Sequence, residues 1–212
     1  FGTGQVAGYR GLSVHLSVEL DGSVTVQAAQ GEAGQGLARV VRSCVQAELG
    51  IDPGRVQVRL GDGQAVANPV PLSFSQTALC TAAAVAQGCA ELRRQLLTAA
   101  GQLLGLAKTT LTLRGEEVFD EAGQPVLTWP ELADYCYRQG IKLDCLATDE
   151  GAGQSDILGV TPLAGLADVE VDLNSGDIRV LRLLCCHDIG TALDRASCVG
   201  QLQGGLLMSL GI

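Results

Sequence analysis

Two stretches of the chain alternate apolar and polar residues with period two on either side of a turn. Leu12 to Leu20 (LSVHLSVEL) alternates, Asp21-Gly22 follows, and SVTVQAA alternates again. Alternation flanking Asp-Gly predicts a β-hairpin. A second hairpin is predicted for ADVEVDLNSGDIRVLRLLCCHDIG, turning at Asn174-Ser175-Gly176. RVQVRL (Arg55 to Leu60) reads as a further strand and TTLTLRG as a short one. Other segments repeat at helical spacing: LARVVRSCVQAEL up to Gly50, an Ala- and Leu-rich run from Thr77 to Leu104, and GQLQGGLLMSLGI starting at Gly200. TWPELADYCYRQG carries helix-boundary signals at both ends, with Thr128 at the N-cap, Pro130 in the first turn, Glu131 three residues after the cap and Gly140 at the stop.

Hairpins mixed with helices, without regular strand–helix–strand alternation, predict an α+β fold with two layers, a mixed sheet and helices. A first lobe is expected over residues 1–150 and a second over 151–212, joined through the polar, glycine-rich GAGQSD. The segment RGEEVFDEAG reads as a solvated acidic turn.

Composition narrows the picture. Hydrophobic residues make up 47% of the 212, charged residues 17% and aromatics only 3%, so the core is expected to consist of Leu, Val and Ala. A formal charge of −9 argues against nucleic acid and anionic membrane as partners. No apolar run reaches the roughly 18 residues of a membrane span. The eight cysteines contain no C-x-x-C pair, which argues against a zinc or iron–sulfur site in this chain; most are expected to be buried thiols in a reducing cytoplasm. The chain opens on Phe1 and closes on the apolar run LLMSLGI, which reads as a piece of a longer protein.

The candidate chemistry lies at helix starts. GEAGQGLARVV has the Gly31-x-x-x-x-Gly36 half of a phosphate loop, but Leu37 and Ala38 stand where Lys and Ser or Thr would be needed. What remains is a glycine-rich approach to a helix N-terminus, where unpaired N–H groups and the helix dipole favour an anion. Gly34 and Gly36 open the backbone, and Gln35 between them adds a neutral amide. Ser75 and Thr77 stand at the start of the long helix, as caps or as ligand contacts, and Gly200-Gln201 repeats the Gly-Gln pair at the last one. Together they point to a large polar anionic ligand held by dipoles and amides. Glu32, His15, His187, Asp188 and the adjacent Cys185 and Cys186 read as structural.

The order of these segments resembles the molybdopterin-binding subunit of the xanthine dehydrogenase and aldehyde oxidase family. DGSVTVQAAQGEAGQGLARVVRSCVQAELGIDPGRVQVRLGD matches that family's hairpin, E-x-G-Q-G loop, helix and strand ending in Gly-Asp. PLSFSQTALCTAAAV, LTWPELADYCYRQG and ADVEVDLNSGDIRVLRLLCCHDIGTALDRASCVGQLQGGLLMSLG follow in the same order. The resemblance implies a molybdenum-cofactor-binding domain of the xanthine dehydrogenase type. Gly34, Gln35 and Gly36 would contact the pterin, Ser75 and Thr77 would line a second loop, and Gly200 and Gln201 would hold the phosphate-bearing end. No residue of the chain would ligate the metal directly. It further implies an oxidoreductase that hydroxylates an N-heterocycle or aldehyde with oxygen from water. The cofactor would be molybdopterin, in its plain or cytosine dinucleotide form, with 2Fe-2S and FAD on other domains or subunits. The partners would be those domains, the remainder of the molybdenum subunit and a small-molecule substrate.

Departures from the pattern matter. Leu72, Ser73, Phe74, Gln76 and Ala78 replace the small residues, the Arg and the last Thr of the second loop, and Asp194-Arg195 replaces an Asn-Pro. The family's general-base glutamate lies beyond the end of this chain, so no catalytic residue is assigned within it and the isolated piece is expected to be inactive. A diverged, non-catalytic scaffold for subunit assembly is the rival reading; a nucleotide-binding module is disfavoured by the missing Lys.

Overall fold

The computed structural model describes residues 12–63, 66, 74–149, 162–192 and 194–211, in two compact units, Phe1–Ser155 and Asp156–Ile212. The first hairpin forms as β1 (Ser13–Val18) and β2 (Val24–Ala28), antiparallel, with Val14 opposite Ala28 and Val18 opposite Val24. Gly22 takes the turn at φ 80°, and the Asp21 carboxylate accepts from the Ser23 N–H at 2.9 Å. Helix α1 (Leu37–Leu49) buries Leu37, Val41, Val45 and Leu49 along one face and stops at Gly50 (φ 76°). Strand β3 (Val56–Leu60) then pairs parallel to β2. This single strand–helix–strand crossover sits among hairpins, so the sheet is mixed without a regular alternation.

Helix α2 (Phe74–Leu104) starts three residues earlier than its periodicity indicates. Three strands follow: β4 (Thr112–Arg114), β5 (Glu117–Phe119) and β6 (Pro125–Thr128), forming a small antiparallel sheet in that order. The acidic segment expected to be a solvated turn therefore contains β5. Its Val118 is fully buried and anchors the strand, with Phe119 half-buried beside it. Helix α3 (Trp129–Gln139) has the expected capping box, with the Glu131 carboxylate accepting from the Thr128 N–H at 2.8 Å and its hydroxyl at 2.6 Å. Strand β7 (Asp144–Thr148) joins the edge of the main sheet, whose order is β3-β2-β1-β7.

One face of that sheet is apolar through Val14, Leu16, Val24 and Val26, and α1 and α2 complete a core of Leu, Val, Ala and Cys around a single fully buried ring, Trp129. The other face carries Ser13 and His15, which bond to Thr148 (2.8 Å) and Asp144 (3.2 Å) across the β1–β7 pair. Helices on one side of a mixed sheet make the α+β two-layer architecture that was expected. All eight cysteines are free, but only Cys80, Cys89 and Cys136 are fully buried, four are half-buried and Cys186 is exposed.

The second unit consists of β8 (Leu163–Val171), β9 (Ile178–His187) and α4 (Arg195–Ser209). The two strands form an antiparallel ribbon with a bulge at Asp168/Val169, and Asp172 caps its turn by accepting from the Asn174 N–H at 2.8 Å. Among its described residues none is buried. Leu166, Ile178, Leu184 and Met208 are all more than half or about half exposed. An isolated two-stranded ribbon is marginal in water.

Candidate functional site

Strands β2, β3 and β7 run the same way, because β3 is parallel to β2 and β1 is antiparallel to both β2 and β7. Their carboxyl ends, Ala28, Leu60 and Thr148, therefore share one end of the sheet. Hydrogen bonds close that end: the Gly61 N–H donates to Gln30 O at 2.9 Å and the Asp149 N–H to Leu12 O at 2.8 Å. The chain leaving β2 enters α1 at this end, and α2 begins here too, since Cys80 near its start bonds Asp149 just past β7 while Gln95, further along, donates to the Asp144 carbonyl at the beginning of β7. In open sheets this is where ligands are bound, since helix N-termini and loops converge outside the strand ends.

The loop from Gly31 to Gly36 is organised by Glu32. Its Oε1 accepts from the Gly34 and Gly36 N–H groups, both at 2.9 Å, and its Oε2 from the Ala38 N–H at 3.4 Å. The conformation needs the left-handed φ of 100° at Gly34 and 77° at Gly36. The carboxylate thus occupies the anion position at the start of α1. Partial burial pushes its pKa up, but the N–H groups of Gly36, Ala38, Gly34 and Leu37 outweigh this and hold it below the usual glutamate value. Gln35 accepts from the Ala33 N–H (2.7 Å) and donates to Gly31 O (3.1 Å). One amide hydrogen and one carbonyl lone pair remain for another molecule.

A lowered carboxyl pKa stabilises the fold above the unfolded-state value and is lost as pH falls through the folded one. Glu32→Gln is therefore expected to melt slightly lower than the wild type at pH 7, with the two curves converging below about pH 4. Amide exchange at Gly34 and Gly36 should be several-fold faster in the variant at pH 7. Equal exchange in both proteins would show that the carboxylate does not hold the loop.

Ser75 lies in the first turn of α2 and Thr77 one step further along, 5% exposed. Both belong to the same end of the sheet as Gly34, Gln35 and Gly36. Gly200 and Gln201 are placed differently from the expectation. Helix α4 begins at Arg195 with Asp194 as its N-cap, whose carboxylate accepts from the Ser197 N–H at 2.6 Å. Gly200 and Gln201 are therefore inside the helix, and a ligand there could use the Gln201 side chain but not the terminal N–H groups. They belong to the second unit.

Sequence reasoning missed a polar layer beneath the helix starts. Along β2, Val24, Val26 and Ala28 are fully buried; two residues beyond the end of the strand Gln30 is buried as well, 7% exposed. On β7, Ala147 is followed two residues later by Asp149, 1% exposed and hydrogen-bonded to the Cys80 thiol on α2. Burial and this carboxylate push the Cys80 thiol up to about 11, and burial pushes Cys89 up to about 12, so neither is a ready thiolate. Among the described residues no three His, Cys, Asp or Glu side chains are grouped to hold a metal ion. The donors at this end are neutral amides, hydroxyls and backbone N–H groups. That set suits an organic cofactor with polar edges better than a bare cation.

The fold is that of the molybdenum hydroxylases. Quinoline 2-oxidoreductase from Pseudomonas putida 86 superposes with a TM-score of 0.73 at 21% identity, over 92% of this chain and 25% of that one. Aldehyde oxidoreductase from Desulfovibrio gigas superposes with a TM-score of 0.69 at 17% identity, over 98% and 22%. Residues 1–212 match the family model described as "Molybdopterin cofactor-binding domain". The chain belongs to that family, within the xanthine dehydrogenase and aldehyde oxidase group. Among relatives, indole-3-acetaldehyde oxidase of Arabidopsis thaliana is 27% identical over 92% of this chain, and a probable xanthine dehydrogenase subunit of Bacillus subtilis (strain 168) is 28% identical over all of it. The chain spans only 14% and 28% of the lengths of those two relatives.

Proposed function

We propose that this chain is part of a molybdenum-dependent oxidoreductase and that it holds molybdopterin at the carboxyl ends of β2, β3 and β7. The observation that carries the reading is topological: the Gly34-Gln35-Gly36 loop and the start of α2, with Ser75 and Thr77, lie at one end of one sheet. Gln35, oriented by its own loop, offers its remaining N–H and lone pair to the cofactor. Ser75 and Thr77 are further contacts at this end, and the cofactor is molybdopterin in its plain or cytosine dinucleotide form. Bound molybdopterin supplies the metal chemistry that transfers a water-derived oxygen to carbon. The residues of this chain bind and orient the cofactor.

The substrate is an N-heterocycle or an aldehyde; the relatives' names support both classes. The rest of the molybdenum subunit covers the exposed apolar residues of β8 and β9, and iron–sulfur and flavin domains or subunits accept the electrons. Eight free thiols and the absence, among the described residues, of a helix able to cross a membrane support a cytoplasmic location.

One observation favours a second reading. Glu32 fills the loop's N–H groups with the chain's own carboxylate, as a scaffold that had lost its cofactor would. Molybdenum per polypeptide in the full-length parent, measured by elemental mass spectrometry, separates the two. The cofactor reading expects near one metal per chain, and about tenfold less in Gln35→Ala after dialysis, from the loss of one or two buried hydrogen bonds. A metal-free parent from a cell whose other molybdenum enzymes are loaded would establish the scaffold.

A further inference from the structure

Gln30 is the most conspicuous unmatched group among the described residues. It is 7% exposed, and neither its Nε2 nor its Oε1 has a hydrogen-bond partner. Other buried side chains leave a single atom unmatched; Gln95, for example, still donates through Nε2 to Glu91 and to the Asp144 carbonyl. Gln30 leaves its whole amide. Its backbone is not at issue, since its carbonyl accepts from the Gly61 N–H at 2.9 Å and pins the residue to the end of the sheet. Thr81 of α2, fully buried, also has an unmatched hydroxyl, one residue after the Cys80 that bonds Asp149.

Buried amides are retained where something satisfies them. A primary amide presents a donor and an acceptor side by side in one plane, and a planar edge with the complementary pair matches both at once. Proteins read nucleobase edges in this way with Gln and Asn. A metal ion or an apolar group would leave the amide N–H unmatched, and a simple anion would leave the carbonyl unmatched. Lactam and amidine edges of fused heterocycles match the pair, and the pterin ring system has such an edge.

We propose that Gln30 is a specificity-determining binding residue that reads the lactam–amidine edge of the pterin at the carboxyl end of the sheet, with Thr81 supplying a further hydroxyl at the same end. This rests on the molybdopterin reading above and assigns one face of that site to a residue outside the Gly-Gln-Gly loop. It also accounts for a buried polar residue just beyond β2, whose Val24, Val26 and Ala28 are buried and apolar.

The test uses Gln30→Met, which keeps the length of the side chain and removes both polar atoms, and Gln30→Glu, which keeps its shape and removes the donor. Both are made in the full-length parent, in normal cells and in cells unable to synthesise the pterin. Melting temperature is measured on the pterin-free proteins. Pterin retention during dialysis is followed by the fluorescence of the released, oxidised pterin. The expected result is that Gln30→Met without pterin melts no lower than the wild type, because no protein partner is lost. Both variants made in normal cells should release pterin about tenfold faster. A lower melting temperature for pterin-free Gln30→Met would show that the amide has a protein partner, and the proposal would fall. Pterin released at the wild-type rate from both variants would also overturn it, while leaving the molybdopterin reading intact. A wild-type parent that contains no pterin would overturn both.

Discussion

Replacing Trp129 by alanine is expected to lower the unfolding free energy of the chain by about 3–5 kcal/mol. Trp129 is fully buried and is the first residue of α3. Its N–H donates to Glu116 O at 2.9 Å, which fixes the start of the helix against the turn between β4 and β5. It is the only tryptophan, in a chain with 3% aromatic residues, so the space it vacates is the largest that a single core truncation among the fully buried residues can leave. A loss of this size is a large part of the 5–15 kcal/mol that a typical domain has in total. Trp129→Phe should cost much less, because it keeps most of the buried area and removes an indole N–H that has no partner among the described residues. Urea unfolding followed by far-ultraviolet circular dichroism decides, since the tryptophan signal is lost in both variants. Equal midpoints for the Ala and Phe variants would show that ring volume is not what holds α3.

Gly88→Ala is expected to destabilise by about 1–2 kcal/mol even though alanine is the better helix former by about 1 kcal/mol. At Gly88 helix α2 lies directly on the sheet: an added Cβ would fall well inside van der Waals distance of Leu16 Cδ1 and 3.2 Å from Ala147 Cβ. Both neighbours belong to the core, and Leu16 is completely buried. The Gly88 carbonyl also accepts from the Cys145 thiol at 3.4 Å, which ties the same point of α2 to β7. Making room for the methyl group means moving Leu16 or lifting the helix. The double variant Gly88→Ala with Leu16→Val should be more stable than the sum of the two single losses predicts, by about 0.5 kcal/mol or more, as expected for residues in contact. Strict additivity would mean that helix and sheet are not pressed together at this point.

Much of the fold was legible because its signals are local. The Asp21-Gly22 turn, the Gly50 stop and the Thr128–Glu131 capping box are decided by residues a few positions apart, and each forms as expected. The start of α4 was misread for an equally local reason: Gly200-Gln201 resembles the first loop, whereas Asp194, six residues before Gly200, is the cap that bonds the first turn. Strands β5 and β7 passed unnoticed because they are short and carry charged residues; Ala147 commits β7 to the sheet through a partner distant in sequence, Val14, whereas β5 pairs with the adjacent β4 and β6. Glu32 was legible as structural, but not as the carboxylate that closes the loop on itself.

Gln30 could have been found. It continues the spacing of the buried Val24, Val26 and Ala28, but the strand ends at Ala28 and polarity at the end of a strand normally marks the exit to solvent. By itself the sequence determined the periodicities, turns, caps and the Gly-Gln-Gly loop, because these depend on backbone sterics and hydrogen bonds within a few residues. Only the tertiary structure decided that β2, β3 and β7 point the same way, that α1 and α2 begin at one end of the sheet, and that a glutamine there is buried. Those outcomes depend on which distant segments close over which faces, and no local pattern encodes that choice.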